Sequence, residues 1–477
     1  MYRKLKKFHS FKINKTNKTY KYIDILIYLI KIKLFILFFI LQILKKSSLI
    51  PNYNIEYNNN YFKIPNYLNL GFNGKIKNKI RIGICTGYLS NGGRARITAI
   101  LINYLIRIKL FDIYLFTRGK KLKNDYRISN LTKRIIINNN LLKLILKNKI
   151  QILIYELTNT IEIKKLNNFK NLKVIFYHHS SVFGWIYFSF NYFKIIYELF
   201  KESKYVITLV PLENDYLFKK WGIKSILMNN FMTYDFNSIV PSDLSSKIIL
   251  MIGRAFDKKK RFELGIKAMK YIEKQIPEAE LKIISSIKGI TYLKKLINYL
   301  NLNDKIKFIG YLKKPEIYFK NASLHFFPTL FESFGLVLSE TKLYGIPSIL
   351  MGVDYVSISK GGTIILYDDK PESLAKETIK ILNNKKYRKK LGKEARKSIK
   401  KFNNEKTFIK WVKLILSVYN GDKYYEILRK RDKIITEKES KEILNAQIKL
   451  LKKRLPKRFK NITLRNFENF TFLKNLK

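Results

Sequence analysis

From Ile80 onward, short apolar runs rich in β-branched and aromatic residues alternate with longer stretches in which apolar residues return every three or four positions. The apolar runs are Ile80–Cys85, Phe111–Phe116, Gln151–Tyr155, Leu172–Tyr177, Tyr205–Val210 and Ser225–Met228. Helical spacing covers Ala95–Ile106, Tyr192–Phe200 and Asn214–Trp221. Alternation of this kind predicts a parallel sheet covered by helices. The stretch Tyr234–Ser246, with Pro241, Asp243, Ser242, Ser245 and Ser246, reads as a linker. The alternation then restarts, with strands expected at Lys247–Ile252, Leu281–Ser285, Lys305–Ile309, Leu324–Phe327, Ser348–Met351 and Thr363–Tyr367. Helices are expected at Phe262–Glu273, Thr291–Leu300, Pro315–Ala322, Gly335–Tyr344 and Pro371–Asn383. The class is α/β, with two consecutive units and a cleft between them, and ligands of such sheets bind beyond the carboxyl ends of the strands. After Lys385 the chain is helical and charged to about Tyr419, and Ile434–Leu451 has weak helical periodicity.

The amino-terminal end has a different pattern. Arg3, Lys4, Lys6, Lys7, Lys12, Lys15, Lys18 and Lys21 precede an apolar stretch from Tyr22 to Leu44, closed by Lys45 and Lys46. Its length approaches that of a bilayer span, but Asp24, Lys31 and Lys33 interrupt the first half, leaving only Leu34–Leu44 free of charge. An uncleaved anchor, an interfacial helix and a basic helix covering the core all fit this pattern. A polar Asn/Tyr-rich linker, Pro51–Lys79, follows. The segments are therefore 1–50 (basic, with the possible anchor), 51–79 (linker), 80–240 and 241–385 (the two α/β units), 386–420 (closing helices) and 421–477 (basic tail).

Composition adds an electrostatic element. The 477 residues include 94 Lys+Arg against 35 Asp+Glu, a formal charge of +59. Such a balance attracts anionic membranes and phosphate-bearing ligands. Lys, Asn, Ile and Tyr are all abundant together, which also fits a compositional drift of the whole chain. No dense Arg-rich block or zinc-finger spacing supports sequence-specific nucleic-acid binding. The single cysteine, Cys85, lies in an apolar run and reads as core, so no intramolecular disulfide is possible.

Candidate chemistry concentrates at three strand-to-helix turns. In Phe327-Pro328-Thr329-Leu330-Phe331-Glu332-Ser333-Phe334-Gly335-Leu336-Val337-Leu338-Ser339-Glu340, a strand ends, a loop follows and a helix starts near Gly335. The free N–H groups and positive dipole end of such a helix suit a diphosphate. Glu332 stands beside that pocket, and Glu340 is placed to accept hydrogen bonds from hydroxyls such as a ribose diol. In Gly253-Arg254-Ala255-Phe256-Asp257-Lys258-Lys259-Lys260-Arg261-Phe262, cations follow a strand directly and can neutralise leaving phosphates. In Thr86-Gly87-Tyr88-Leu89-Ser90-Asn91-Gly92-Gly93-Arg94-Ala95-Arg96, glycines let backbone N–H groups approach a phosphate or sugar. It is not a G-x-G-x-x-G fingerprint and does not imply NAD. His178 and His179 end the strand Leu172–Tyr177. No carboxylate–histidine cluster has metal-ligand spacing.

The pair Glu332 and Glu340, seven residues between them, followed by Lys342-Leu343-Tyr344-Gly345-Ile346-Pro347, resembles the signature of the group 1 glycosyltransferases (glycosyltransferase family 4), retaining enzymes of GT-B fold with two facing Rossmann-like domains. The resemblance covers roughly Arg81 to Tyr419. It implies that Glu332 faces the donor sugar and Glu340 the donor ribose, and that Arg254 and Lys260 hold the diphosphate. By the same resemblance Ser333, Phe334 and Gly335 line the donor pocket, Gly92 and Gly93 form its glycine loop, and Tyr311 lies near the donor base. One histidine of the pair lies near the reacting sugar, with His179 favoured. This chain has E-S-F-G where the family has E-G-F-G. Arg94 and Ala95 replace small and acidic residues of the glycine loop, and Asn229-Asn230-Phe231 lacks the usual proline.

The implied activity is transfer of a sugar from a nucleotide diphosphate sugar, as donor substrate, to a glycan or lipid-linked acceptor. The implied enzyme retains anomeric configuration and needs no cofactor or metal. The apolar Leu34–Leu44 run within its basic flank predicts peripheral or integral association with an anionic membrane surface, and the cytosolic nucleotide-sugar supply implied by the resemblance puts the catalytic domains on the cytosolic face. The competing expectation is a non-catalytic membrane-surface protein that binds polyanions on a degenerate transferase fold.

Overall fold

The computed structural model describes residues 78–421, apart from 91, 139, 183, 185–189, 287–288, 313–314 and 353–355. The apolar amino-terminal segment, most of the linker that follows it, and the basic tail with Ile434–Leu451 lie outside the described residues. Among the described residues no helix is long and apolar enough to cross a membrane.

The first sheet has seven parallel strands: β1 (Ile80–Thr86), β2 (Phe111–Thr117), β3 (Lys133–Ile136), β4 (Ile152–Tyr155), β5 (Lys173–Tyr177), β6 (Tyr205–Thr208) and β7 (Ile226–Leu227). Their order is β3-β2-β1-β4-β5-β6-β7. The second sheet has six: β8 (Ile248–Ile252), β9 (Glu280–Ile284), β10 (Ile306–Phe308), β11 (Leu324–Phe327), β12 (Ser348–Met351) and β13 (Thr363–Leu366). They run parallel in the order β10-β9-β8-β11-β12-β13. In each sheet the strand order reverses beside the first strand, at β1/β4 and at β8/β11. That point opens a crevice above the carboxyl ends, where such sheets bind ligands. The central strands β4, β6, β11 and β12 are buried along their whole length, which is why they read as largely apolar runs.

Helices cover both sheets. In the first domain they are α1 (Gly93–Leu105), α2 (Leu141–Lys147), α3 (Thr160–Asn167), α4 (Phe190–Glu202) and α5 (Pro211–Trp221). In the second they are α6 (Phe262–Ile272), α7 (Thr291–Tyr299), α8 (Glu316–Lys320), α9 (Leu336–Leu343) and α10 (Pro371–Asn383), followed by α11 (Lys385–Ile399) and α12 (Asn404–Asn420). The abundant asparagines act as helix starts. Asn140, Asn159, Asn384 and Asn403 each accept a backbone N–H of the first turn with the side-chain oxygen. β3, α2 and α3 are additions to the expected elements.

The segment between the sheets is firmly bonded. Arg396 donates to the carbonyls of Phe236 and Ile239 at 3.0 and 2.9 Å, and Ser242 Oγ donates to Ala322 O at 2.7 Å. The closing helices divide between the domains. α11 stays on the second: the buried Arg388 donates to Leu244 O, and Gly392 packs on Gly345. α12 returns to the first. Its Trp411 is fully buried and meets the Tyr177 ring edge-on at 5.1 Å. Asn404 clamps the backbone of Met232, accepting its N–H at 2.6 Å and donating to its carbonyl at 3.1 Å.

Candidate functional site

The second domain contributes two loops at the carboxyl edge of its sheet, after β8 and after β11. Leu330 N–H donates to Lys259 O at 2.9 Å and joins them. Arg261, with backbone in the left-handed region (φ 49°), is buried and anchors both. Its guanidinium donates to Pro328 O after β11, to Met351 O at the end of β12, and to Asp369 after β13. This brace leaves Lys260 Nζ 2.7 Å from Glu332 Oε2, with both side chains less than one-fifth exposed. Burial pushes the Glu332 carboxyl up, but the Lys260 ammonium, with Lys259 behind it, holds it below the ordinary carboxylate range. Arg254 is elsewhere: its side chain is 56% exposed and paired with Asp257 at 2.9 Å. The structure therefore joins Lys260 to Glu332 but keeps Arg254 on the surface.

Gly335 starts α9 with φ 83° and ψ 63°, a left-handed conformation in which a side chain is strained. The free N–H groups of the first turn follow directly, beside Glu332 and Ser333. Ser333 N–H points back at Glu332 Oε1, 3.3 Å away. Phe334, expected in the donor pocket, is instead a core residue: it is buried and meets Phe402 edge-on at 5.7 Å. Glu340, further along α9, is 2% exposed and receives Arg96 Nη1 from α1 at 2.6 Å.

In the first domain, Gly92 precedes α1 and is exposed, whereas Gly93 faces Leu336 of α9. A Cβ at Gly93 would stand 2.9 Å from Leu336 Cδ1. A third approach links Gly184, after the histidine pair, to Phe331, with 3.5 Å from a Cβ placed on the glycine to Phe331 Cβ. A fourth brings Tyr311, 49% exposed, to Tyr126 and Arg96; burial and Tyr126 push its phenol up to about 12. The carboxyl edges of the two sheets thus meet through the glycine loop, the histidine loop and the Glu332 loop.

The two histidines have different surroundings. His178 is buried between the rings of Phe176 and Phe200, and burial pulls it down to about 3. His179 packs against Tyr177, with ring centroids 3.8 Å apart and planes tilted by 46°, and its Nε2 lies 3.1 Å from Glu156 Oε1. The ring nitrogen thus stands against the carboxylate without a hydrogen bond aligned on it. Glu156, which follows β4, was not among the expected site residues. Its one sequence signal is an acidic residue closing an apolar run. Among the described residues, no group of three or more His, Cys, Asp or Glu is arranged to hold a metal ion.

Residues 236–398 match the family described as Glycosyl transferases group 1. Over 183 residues the chain is 24% identical to an uncharacterized glycosyltransferase of Haemophilus influenzae, covering 37% of this chain and 52% of that protein. Over 153 residues it is 28% identical to the poly(glycerol-phosphate) alpha-glucosyltransferase of Bacillus subtilis, covering 31% of this chain and 22% of that one. The match thus spans about half the length of the first relative and less of the second. The fold is similar to that of sucrose-phosphate synthase from Thermosynechococcus elongatus, with a TM-score of 0.61 and 17% identity over 72% of this chain and 100% of that one. The chain therefore has the GT-B fold, and its residues 236–398 are similar to the glycosyl transferases of group 1.

Proposed function

We propose that the chain transfers a sugar from a nucleotide diphosphate sugar to a hydroxyl of a glycan or lipid-linked acceptor, with retention at the anomeric carbon and without a divalent metal. The observation that carries this reading is the Lys260–Glu332 pair, 2.7 Å apart at the open amino-terminal end of α9. A cation, a helix dipole end and a carboxylate at one point suit a diphosphate joined to a polyhydroxylated ring. In the reaction the bond from the anomeric carbon to the diphosphate oxygen breaks and one to the acceptor oxygen forms. The hydroxyl proton leaves with the diphosphate. Lys260 and the α9 N–H groups offset charge growing on the leaving group. Glu332 accepts hydrogen bonds from the sugar, and His179 orients it across the cleft. Glu340 accepts from the ribose hydroxyls while Arg96 holds its other side. Arg254, exposed on the same loop, is free to swing from Asp257 onto the diphosphate. The retained pairs favour this reading over a polyanion-binding protein without catalysis.

The experiment is calorimetry with UDP, GDP and ADP. One of them binds the wild-type chain, and Glu340→Ala weakens that binding by about 1.5–3 kcal/mol. Unchanged affinity in a folded variant removes Glu340 from the donor site.

Membrane association through residues up to Lys46, with the catalytic domains cytosolic, belongs to the same proposal. Each lysine near an anionic leaflet contributes roughly 1 kcal/mol. The full chain should sediment with membranes, and a chain beginning near Pro51 should not. Equal solubility of the two contradicts it.

A further inference from the structure

Glu156 is an expensive residue where it stands. Its side chain has no exposure, and its backbone N–H is tied to Cys85 O at 3.0 Å, fixing it at the carboxyl edge of the sheet between β1 and β4. That edge is the switch point at which such sheets bind ligands. Taking a carboxylate out of water costs several kcal/mol unless charge and hydrogen bonds compensate. Besides His179 and Thr98, Arg94 and Thr86 also favour the ionised carboxyl. Thr98 Oγ1, fully buried on α1, lies 3.0 and 2.9 Å from the two carboxylate oxygens. The His179 ring approaches with its Nε2 3.1 Å from Glu156 Oε1.

His179 is itself held from behind. Tyr177 packs against it, with ring centroids 3.8 Å apart and planes tilted by 46°, and donates its hydroxyl to Asn230 Oδ1 at 2.9 Å. Trp411 of α12 braces Tyr177 in turn. The ring is thus gripped on its face by Tyr177 and at Nε2 by Glu156.

Resting on the proposed sugar transfer, in which His179 touches the donor sugar, we infer that Glu156 is a positioning residue: it fixes the orientation of the His179 ring and acts on the reaction only through it. A base or orienting histidine held by a third group is a recurring arrangement. Misplacement of such a group by about 1 Å costs on the order of 10²-fold in rate.

The test is a double-mutant cycle on the full chain with the donor that supports transfer. Glu156→Gln, which keeps the shape and the Thr98 bond, should lower kcat about 10²-fold with donor KM unchanged. Glu156→Asp should recover part of the loss. In the His179→Asn background, Glu156→Gln should change nothing further. An independent arm needs no turnover. Of the four histidines in the chain, His179 should change its ring ¹H–¹⁵N chemical shifts in Glu156→Gln while the others stay in place. Normal kcat in Glu156→Gln, a loss additive with His179→Asn, or an unmoved His179 signal overturns the inference. If the wild-type chain transfers no sugar from any donor, the proposed function fails, and the spectra alone decide whether Glu156 holds His179.

Discussion

Arg96 on α1 and Glu340 on α9 form a 2.6 Å ion pair that bonds the first domain to the second. Glu340 is almost fully buried and Arg96 is 19% exposed at its side chain, so neither is well solvated when the other is lost. Arg96→Met should therefore cost about 2–4 kcal/mol of stability. The double variant Arg96→Met with Glu340→Met should recover at least half of that loss, because no carboxylate is then left buried alone. Urea unfolding of the two variants measures it. Equal losses would mean that the pair carries no charge-specific coupling.

Lys260 has a different task from the surface cations of its loop. Lys260→Met should lower kcat by about 10²- to 10³-fold, the magnitude of losing one pre-organised charge at a developing anion. Lys258→Met, removing an adjacent lysine that pairs with neither Glu332 nor Asp257, should leave kcat within about threefold. Equal effects of the two substitutions would reduce Lys260 to one member of a diffuse basic loop.

The sheets were legible because their strands are buried on both faces. β11 and β12 are mostly apolar along their buried lengths, with His325 and Ser348 the polar positions, and can be read directly. β3 could not, since it is a half-exposed edge strand beginning with Lys133 and Arg134. α2 and α3 are short, and their Asn140 and Asn159 caps are hard to distinguish in so Asn-rich a chain. The periodicity of α12 announces a helix but not its destination, which Asn404 and Trp411 set through contacts distant in sequence. The site divides in the same way. Glu332, Lys260 and Glu340 stand in motifs with fixed spacing. Their pairings join positions 72 and 244 residues apart, a separation that no local pattern encodes. Phe334 lies within the motif yet faces the core, because a loop residue's direction depends on the Phe402 ring it meets.

Glu213, in the first turn of α5, accepts the Val182 N–H at 2.5 Å and is fully buried. Burial pushes its carboxyl from the ordinary 4.5 up to about 8. The folded chain therefore binds this proton more tightly than the unfolded chain. The contribution to stability is complete below about pH 4.5, declines as pH rises, and is lost above about pH 8. Glu213→Gln should remove that decline and raise stability at pH 8 by roughly 1–3 kcal/mol. Unfolding curves of both proteins at pH 5 and pH 8 test this. A wild-type slope unchanged by the substitution contradicts it.

Phosphate charge in the proposed reaction is met by Lys260, Arg254 and the start of α9. Transfer should then persist in a chelator at its full rate. Loss of turnover restored by Mn²⁺ or Mg²⁺ would assign that charge to a metal.

The central claim is that the cleft between the two sheets moves a sugar from a nucleotide diphosphate. The most direct measurement is incubation of the full chain with a panel of UDP-, GDP- and ADP-sugars and glycan or lipid acceptors, reading nucleotide release together with labelled product. The account predicts release from one nucleotide series, coupled to product with retained anomeric configuration and lost in Glu332→Gln and Lys260→Met. Nucleotide binding without release or product from any donor would contradict it.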